Sequence, residues 1–202
     1  MHGSLRPRVE GDREEQILDA ALTLLLEVGY DRLTMDAVAR AARASKATLY
    51  RRWETKPALV IDALLRAKAA PHPQMPDTGS LRGDLMATYC GASGLASAVG
   101  TGALAAVLTA VSTDEELAAR FREKFIAPSI AIIRGIYERA IARGEIPATV
   151  DVELIGPALA GILLHRAYLL GQPPDNAVVE RVLDHVILPA VHAADETDRN
   201  LA

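Results

Sequence analysis

LTMDAVARAARASKATLYRRWETKPALV, residues 33–60, holds three helix starts in 28 positions. Thr34, Ser45 and Thr55 each carry a hydroxyl that can accept a hydrogen bond from a backbone N–H at a helix start, and each precedes helix-forming residues. After Thr34, Asp36 sits in the first turn and Val38, Ala39 and Ala42 point inward. The break 43–45 (Arg43, Ala44, Ser45) leads into a helix of barely two turns, 46–53. After Thr55, Pro57 is acceptable in a first turn, and Leu59, Val60, Ala63, Leu64 and Ala67 form an apolar stripe that ends before Pro71. Short helices joined by a three-residue turn predict a helix-turn-helix unit.

The pattern extends in both directions. Upstream, Ile17, Ala21, Leu24, Leu25 and Val28 share one helical face. Glu14 and Glu15 stand in the first turn, and Gly29 is the expected C-terminal glycine. Residues 1–12, with Gly3, Pro7 and Gly11, read as a flexible arm. Downstream, Pro71, Pro73 and Pro76 mark a linker over 71–80. Helices are then expected over 81–98 and 102–111. A capping box, Thr113 to Glu116, opens a long helix that Pro128 must kink or break. A turn over 144–150 and a cap at Asp151 lead to a helix over 154–170. Gly171 to Pro174 stops it, and a last helix runs over 175–192. No stretch shows strand alternation. The reading is all-α, with a helix-turn-helix domain over 13–70 and a helical body over 81–202.

The composition agrees. Half of the 202 residues are hydrophobic and only 4% are aromatic, a balance rich in Ala and Leu that suits packed helices. The single cysteine, Cys90, excludes an intramolecular disulfide and fits a reducing compartment. With no long apolar run and a polar N-terminus, a cytoplasmic protein without a membrane partner is expected. The net charge of −4 hides an asymmetry, because residues 1–70 hold 12 basic and 10 acidic residues and the remainder 10 and 16. Seven basic residues face two acidic ones within 32–56, a footprint that suits a polyanion.

Helix 46–53 carries the chemistry. At about 100° per residue, Leu49 and Trp53 lie on one side. Ala47, Thr48 and Arg51 then look outward, flanked by Lys46, Tyr50 and Arg52. A major groove admits such a face: Arg bonds guanine O6 and N7, Thr reaches base edges, and Ala permits close approach. Tyr50, Lys46 and Ser45 suit phosphate contacts.

Taken together, 33–60 resembles the tetracycline-repressor-type (TetR) regulators. It has a helix opening with Thr, an Ala-rich helix and then Ser-x-x-Thr-Leu-Tyr. An aromatic follows three residues on, and Thr-Lys-x-x-Leu starts the next helix. The resemblance covers 13–70 in detail and the rest in architecture. It implies phosphate contacts at Thr34, Lys46, Tyr50 and Lys56, and base-facing positions at Ala47, Thr48 and Arg51, with Arg52 at the edge. Two positions depart from the pattern. Arg43 stands where the turn usually has Gly, which implies either a slightly different turn backbone or a further phosphate contact at Arg43, and Glu54 precedes the fourth-helix cap. The resemblance also implies a homodimer on double-stranded operator DNA, a small-molecule effector in the C-terminal body, and repression relieved by that effector.

For the dimer interface, Leu154, Ile155, Leu159, Ile162, Leu163, Val179, Val182, Leu183 and Val186 offer apolar surface; completing the subunit core is the alternative. Tyr89, Cys90, Phe121, Phe125, Tyr137 and His165 are equally at home in a core or a pocket, so the effector site stays unassigned. An enzyme is disfavoured by the absence of a nucleophile elbow, phosphate loop or His-Glu-x-x-His. His192 and Glu196 give two ligands at most, so neither a metal nor a cofactor is expected. An adaptor that kept the head but lost DNA binding is the third class, and the outward Lys46, Arg51 and Arg52 argue against it.

Overall fold

The computed structural model describes residues 6–67, 75–91 and 98–199, and among these there is no strand. Contacts divide the chain into two units: Met1–Ala69 with Gly102–Phe125, and Ala70–Thr101 with Ile126–Ala202. Helices 102–111 and 115–121 therefore group with the first unit, whereas the linker-based boundary places them in the 81–202 body.

In the first unit, α1 (Arg6–Arg32) buries Ile17, Leu18, Ala21 and Leu25. It starts at Arg6, inside the stretch read as a flexible arm, because Pro7 falls in the first turn, where it is tolerated; residues 1–5 lie outside the described residues. Gly29, at φ 77°, ends the straight run as expected. One further turn follows, in which the Leu33 N–H donates to the carbonyls of Gly29 and Tyr30 at 3.2 Å. Next come α2 (Met35–Ala41), α3 (Lys46–Arg52) and α4 (Lys56–Ala67). On α4, Pro57, Leu59, Val60, Ile61, Ala63 and Leu64 are all buried, more than a single stripe can hold. A helix apolar on several sides needs more than one partner, and α1 and the later α7 (Glu115–Phe121) supply them.

The later helices grouped with this unit are α6 (Ala98–Val111), with Leu104, Val107 and Ala110 buried, and α7, with Leu117, Ala118 and Phe121 buried. The cap of α7 is Asp114, whose carboxylate accepts from the Leu117 N–H at 2.9 Å. Thr113 is not the cap. Its N–H and hydroxyl still donate to the Ala110 carbonyl, at 3.0 and 3.2 Å, so it closes the end of α6.

The second unit consists of α5 (Leu81–Cys90), α8 (Ala127–Ala142), α9 (Val152–Ile155), α10 (Ala158–Tyr168), α11 (Asn176–Val182) and α12 (Leu188–Arg199). Three prolines organise it. Pro128 follows a π turn at Arg122–Ile126, and Pro189 follows another at Leu183–Ile187. An internal proline lacks the N–H for the carbonyl four residues back, and its ring crowds that group; a wider turn just before it keeps the helix running. Pro157 separates α9 from α10, so the expected single helix over 154–170 is two. The expected helix 175–192 continues through its π turn into α12.

A core of Leu81, Leu85, Ile136, Tyr137, Leu159, Leu163, Val179, Leu183 and Ile187, among others, fills this unit. At its edge lies Asp84, fully buried. Its carboxylate accepts from the Thr78 N–H at 2.6 Å and the Thr78 hydroxyl at 2.8 Å, and Arg139 and Arg143 donate to it at 3.1 and 3.5 Å. Burial pushes this carboxyl up, but the Thr78 groups and Arg139 outweigh burial and hold it below its usual range. Glu145 accepts from the Leu81 N–H, so a second carboxylate sits at the start of α5, where the helix dipole favours it.

Asp84→Ala should lower stability by about 3–5 kcal/mol in urea unfolding, because two guanidinium groups lose their buried partner. With its folded pKa depressed, Asp84 contributes fully above the ordinary carboxylate value of about 4 and loses that contribution as the pH falls through the folded value. The difference between wild type and Asp84→Asn should therefore shrink at acid pH; a difference independent of pH would remove the ionised carboxylate from the account.

Candidate nucleic-acid interface

α3 is held from inside and exposed outside. Leu49 is 0% exposed and Trp53, at its C-terminal end, 2%. The Trp53 indole N–H donates to Asp62 of α4 at 2.9 Å, giving a buried ring the polar partner it needs. On the other side Ala47, Tyr50 and Arg51 are exposed and Thr48 half-buried. This is the inward and outward division that the 3.6-residue period requires.

The caps stand where the hydroxyls predict them. Thr34 accepts from the Ala37 N–H at 3.1 Å, Ser45 from the Thr48 N–H at 3.1 Å, and Thr55 from the Ala58 N–H at 3.4 Å. The Ser45 and Thr48 hydroxyls also bond each other at 2.8 Å, which orients Thr48. Between α2 and α3, Arg43 has φ 51°, a left-handed backbone that side chains other than glycine adopt at a cost. The turn thus keeps the geometry of a glycine without having one. The Arg43 carbonyl accepts from the Arg13 guanidinium of α1, while its own side chain stays exposed.

The cations differ in what surrounds them. Lys46 pairs with Asp36 of α2 yet its side chain remains 65% exposed, so it can be shared with another anion. Arg52 donates through Nε and Nη2 to Glu14 of α1, at 3.1 and 2.9 Å. Lys56 donates to the Tyr30 carbonyl at 3.1 Å and lies 4.0 Å from the centre of the Tyr30 ring. Arg52 and Lys56, read from sequence as DNA-facing, thus each have a partner within the protein, and the Arg52 side chain is still 56% exposed. Thr34, Arg43, Ser45, Lys46, Tyr50 and Arg51 are exposed, as is Glu54.

A polar seam missed in the sequence joins α7 to this corner of the unit. The Tyr30 hydroxyl donates to Asp114 at 2.6 Å, and the Thr55 hydroxyl donates to Glu116 at 2.7 Å. Burial, then the Asp114 carboxylate, push the Tyr30 phenol well above its usual range. An aromatic and a capping Asp 84 residues apart give no sequence signal for such a pair.

Of the nine apolar residues expected at a dimer interface, Leu159, Leu163, Val179, Val182 and Leu183 are buried within their own subunit. Those five belong to the core, because α10 and α11 pack on each other. Ile155 and Ile162 are half-buried, while Leu154 and Val186 remain 74% and 45% exposed. Leu169 and Leu170, at the end of α10, are also exposed and were not foreseen.

Tyr89, Phe121 and Tyr137 are buried core residues, Phe121 stacks on Phe125 at 5.0 Å, and His165 is exposed. The Tyr137 hydroxyl is buried without a hydrogen-bond partner. Cys90 is half-buried, and burial, then Glu180, push its thiol up, away from the reactive thiolate. Among the described residues no three His, Cys, Asp or Glu side chains gather to hold a metal; the Glu196 side chain lies outside them.

Comparisons with known proteins agree with this geometry. Residues 17–63 match the model of the bacterial regulatory proteins of the tetR family, and residues 75–186 match the tetracyclin repressor-like C-terminal domain. An HTH-type transcriptional regulator of Mycobacterium tuberculosis is 39% identical over 185 residues, 89% of this chain and 88% of its own length. The DNA-binding transcriptional repressor TetR of Mycobacteroides abscessus is 37% identical over 176 residues, 87% of this chain and 92% of its own. In the crystal structure of the TetR family transcription regulator SCO0332, 97% of the chain superposes on 87% of this one, with a TM-score of 0.65 and 30% identity.

Arg43→Gly should raise the melting temperature, by an amount equivalent to about 0.5–1 kcal/mol, because glycine adopts the left-handed backbone without strain. An unchanged or lower melting temperature would show that the turn stores no strain. Trp53→Ala should cost about 3–5 kcal/mol in chemical unfolding; a loss below about 1 kcal/mol would deny the indole its anchoring role.

Proposed function

Because the chain belongs to the tetR family of bacterial regulatory proteins, and so is a DNA-binding transcriptional regulator rather than an enzyme, we propose that it is a homodimeric repressor released from its operator by a small molecule. The observation that carries the reading is the two-sidedness of α3. Leu49 and Trp53 fix it from below, while Ala47, Tyr50 and Arg51 face outward with Thr48 between them. Arg51 is the residue for a base edge, Ala47 and Thr48 for close approach. Thr34, Arg43, Ser45, Lys46 and Tyr50 surround that face as phosphate contacts. Lys56 acts through Tyr30, by fixing the corner between α1 and α4.

Two heads must stand about 34 Å apart to read successive major grooves, which asks for a dimer. The exposed Leu154, Val186, Leu169 and Leu170, with the half-buried Ile155 and Ile162, are the apolar side chains available for it. In this reading 13–70 is the DNA-binding domain, 71–80 the linker and 81–202 the effector-binding and dimerisation domain. The protein works in the cytoplasm, where operator and effector meet. Repression is favoured because a relative 37% identical is named a DNA-binding transcriptional repressor.

The test is a binding titration against the DNA beside the protein's own gene, at two salt concentrations, with unrelated duplex as competitor. Tight, competitor-resistant binding whose footprint is a palindrome is expected. Arg51→Ala should then weaken operator binding by about 1–3 kcal/mol and relax the preference at one base pair. Binding no tighter than to the competitor, even across randomised duplexes, would overturn the reading.

A further inference from the structure

We infer that Arg13 and Glu14, neighbours on α1, are positioning residues that clasp the recognition helix at both ends, and that Arg52 therefore orients α3 instead of touching DNA. The inference rests on the DNA-binding reading of α3. Arg52 ends a helix rich in outward cations, yet its guanidinium turns toward α1, with the side chain still 56% exposed. Its guanidinium reaches the Glu14 carboxylate with two parallel hydrogen bonds, at 3.1 and 2.9 Å, and lies 5.5 Å from the centre of the Trp53 ring. Fork-to-carboxylate pairing fixes direction as well as distance.

Arg13 does the corresponding work at the other end. Its guanidinium donates to the Arg43 carbonyl, in the turn that launches α3, and to Gln16 at 2.9 Å. The two ends of α3 are thus held by adjacent residues of one α1 turn. Leu49 and Trp53 fix how far α3 sits from the core, but an apolar anchor has little directionality. The polar bonds at the ends limit the tilt that decides which bases Ala47, Thr48 and Arg51 meet.

The pairing also settles charge. Moving Arg52 onto a phosphate would break both bonds and leave the Glu14 carboxylate, 38% exposed, facing a polyanion uncompensated. Held on Glu14, Arg52 releases no counterion when DNA binds. A phosphate-contacting Arg would contribute about 0.9 to the slope of log affinity against log salt.

That slope separates the two roles. With full-length protein, the operator and an unrelated duplex, affinities are measured from low to high salt for wild type, Arg52→Ala, Glu14→Ala and the double variant. Arg52→Ala should lose about tenfold on the operator with an unchanged slope. Glu14→Ala frees Arg52, so its slope should steepen by about 0.9 per subunit, and its preference for the operator over unrelated duplex should fall. The double variant should return to the wild-type slope and lose no more operator affinity than the worse single variant. Arg52→Lys, which keeps the charge and loses the fork, should behave like Arg52→Ala on the operator. Where an alanine variant melts too low for titration, Glu14→Gln and Arg52→Lys carry the same comparison. A slope shallower by about 0.9 per subunit in Arg52→Ala, with Glu14→Ala unchanged, would make Arg52 a phosphate contact and overturn the clasp. Failure of wild type to prefer any duplex would instead remove the DNA reading beneath it.

Discussion

Seven residues of helix have no stability of their own. Nucleation is costly, and isolated helices of this length are marginal in water. The placement of α3 therefore depends on burying Leu49 and Trp53 at its inner side and on the bond from the Trp53 indole to Asp62. Everything the interface offers follows from that anchoring. The inner side takes Leu49 and Trp53, so the outer side is left to Ala47, Thr48, Arg51 and the exposed Tyr50. A rigid element supporting exposed functional side chains is what precise recognition requires.

The support does not come from neighbouring sequence alone. α4 is buried over more than one stripe, so α1 and the turns between them cannot cover it, and α7 supplies the remaining partner. Asp114 does two jobs there. It caps α7, and its other carboxylate oxygen accepts from Tyr30, whose ring carries the Lys56 ammonium. The Asp114 carboxyl is held below its usual range by the Leu117 N–H first and the Tyr30 hydroxyl next. A capping residue that also receives a phenol ties the start of one helix to the end of another.

How much of this was legible depended on the range of the interaction. The helices, the caps at Thr34, Ser45, Thr55 and Asp151, and the inward Leu49 and Trp53 follow from local rules. The family resemblance also marked Arg43 as standing where glycine is usual, and the structure gives that position a left-handed backbone. The destinations of the charges were not legible. Glu14 reads as a helix-dipole residue and Arg52 as a DNA contact, and only the fold brings them together across 38 residues. Prolines were half legible. Pro128 was read as a kink or a break, whereas Pro157 and Pro189 were passed over within apolar runs whose periodicity outweighed them. An apolar stripe shows that a face is buried but not whether proline divides the helix.

The same limit governs the surface of the second unit. Periodicity marks Leu159, Leu163, Val179, Val182 and Leu183 as inward-facing, but one helix period cannot say whether "inward" means a neighbouring helix or a second subunit. The structure assigns those five to the subunit's own core. A partner can use only what that core leaves uncovered. Leu154 and Leu169 are about three-quarters exposed, at 74% and 75%, and both sit where a helix begins or ends, α9 for Leu154 and just beyond α10 for Leu169. Helix ends deviate from the stripe because the chain is about to change direction, so apolar residues there answer to no internal period. Those residues, more than the regular positions of the stripe, are where apolar surface left over from folding is to be found.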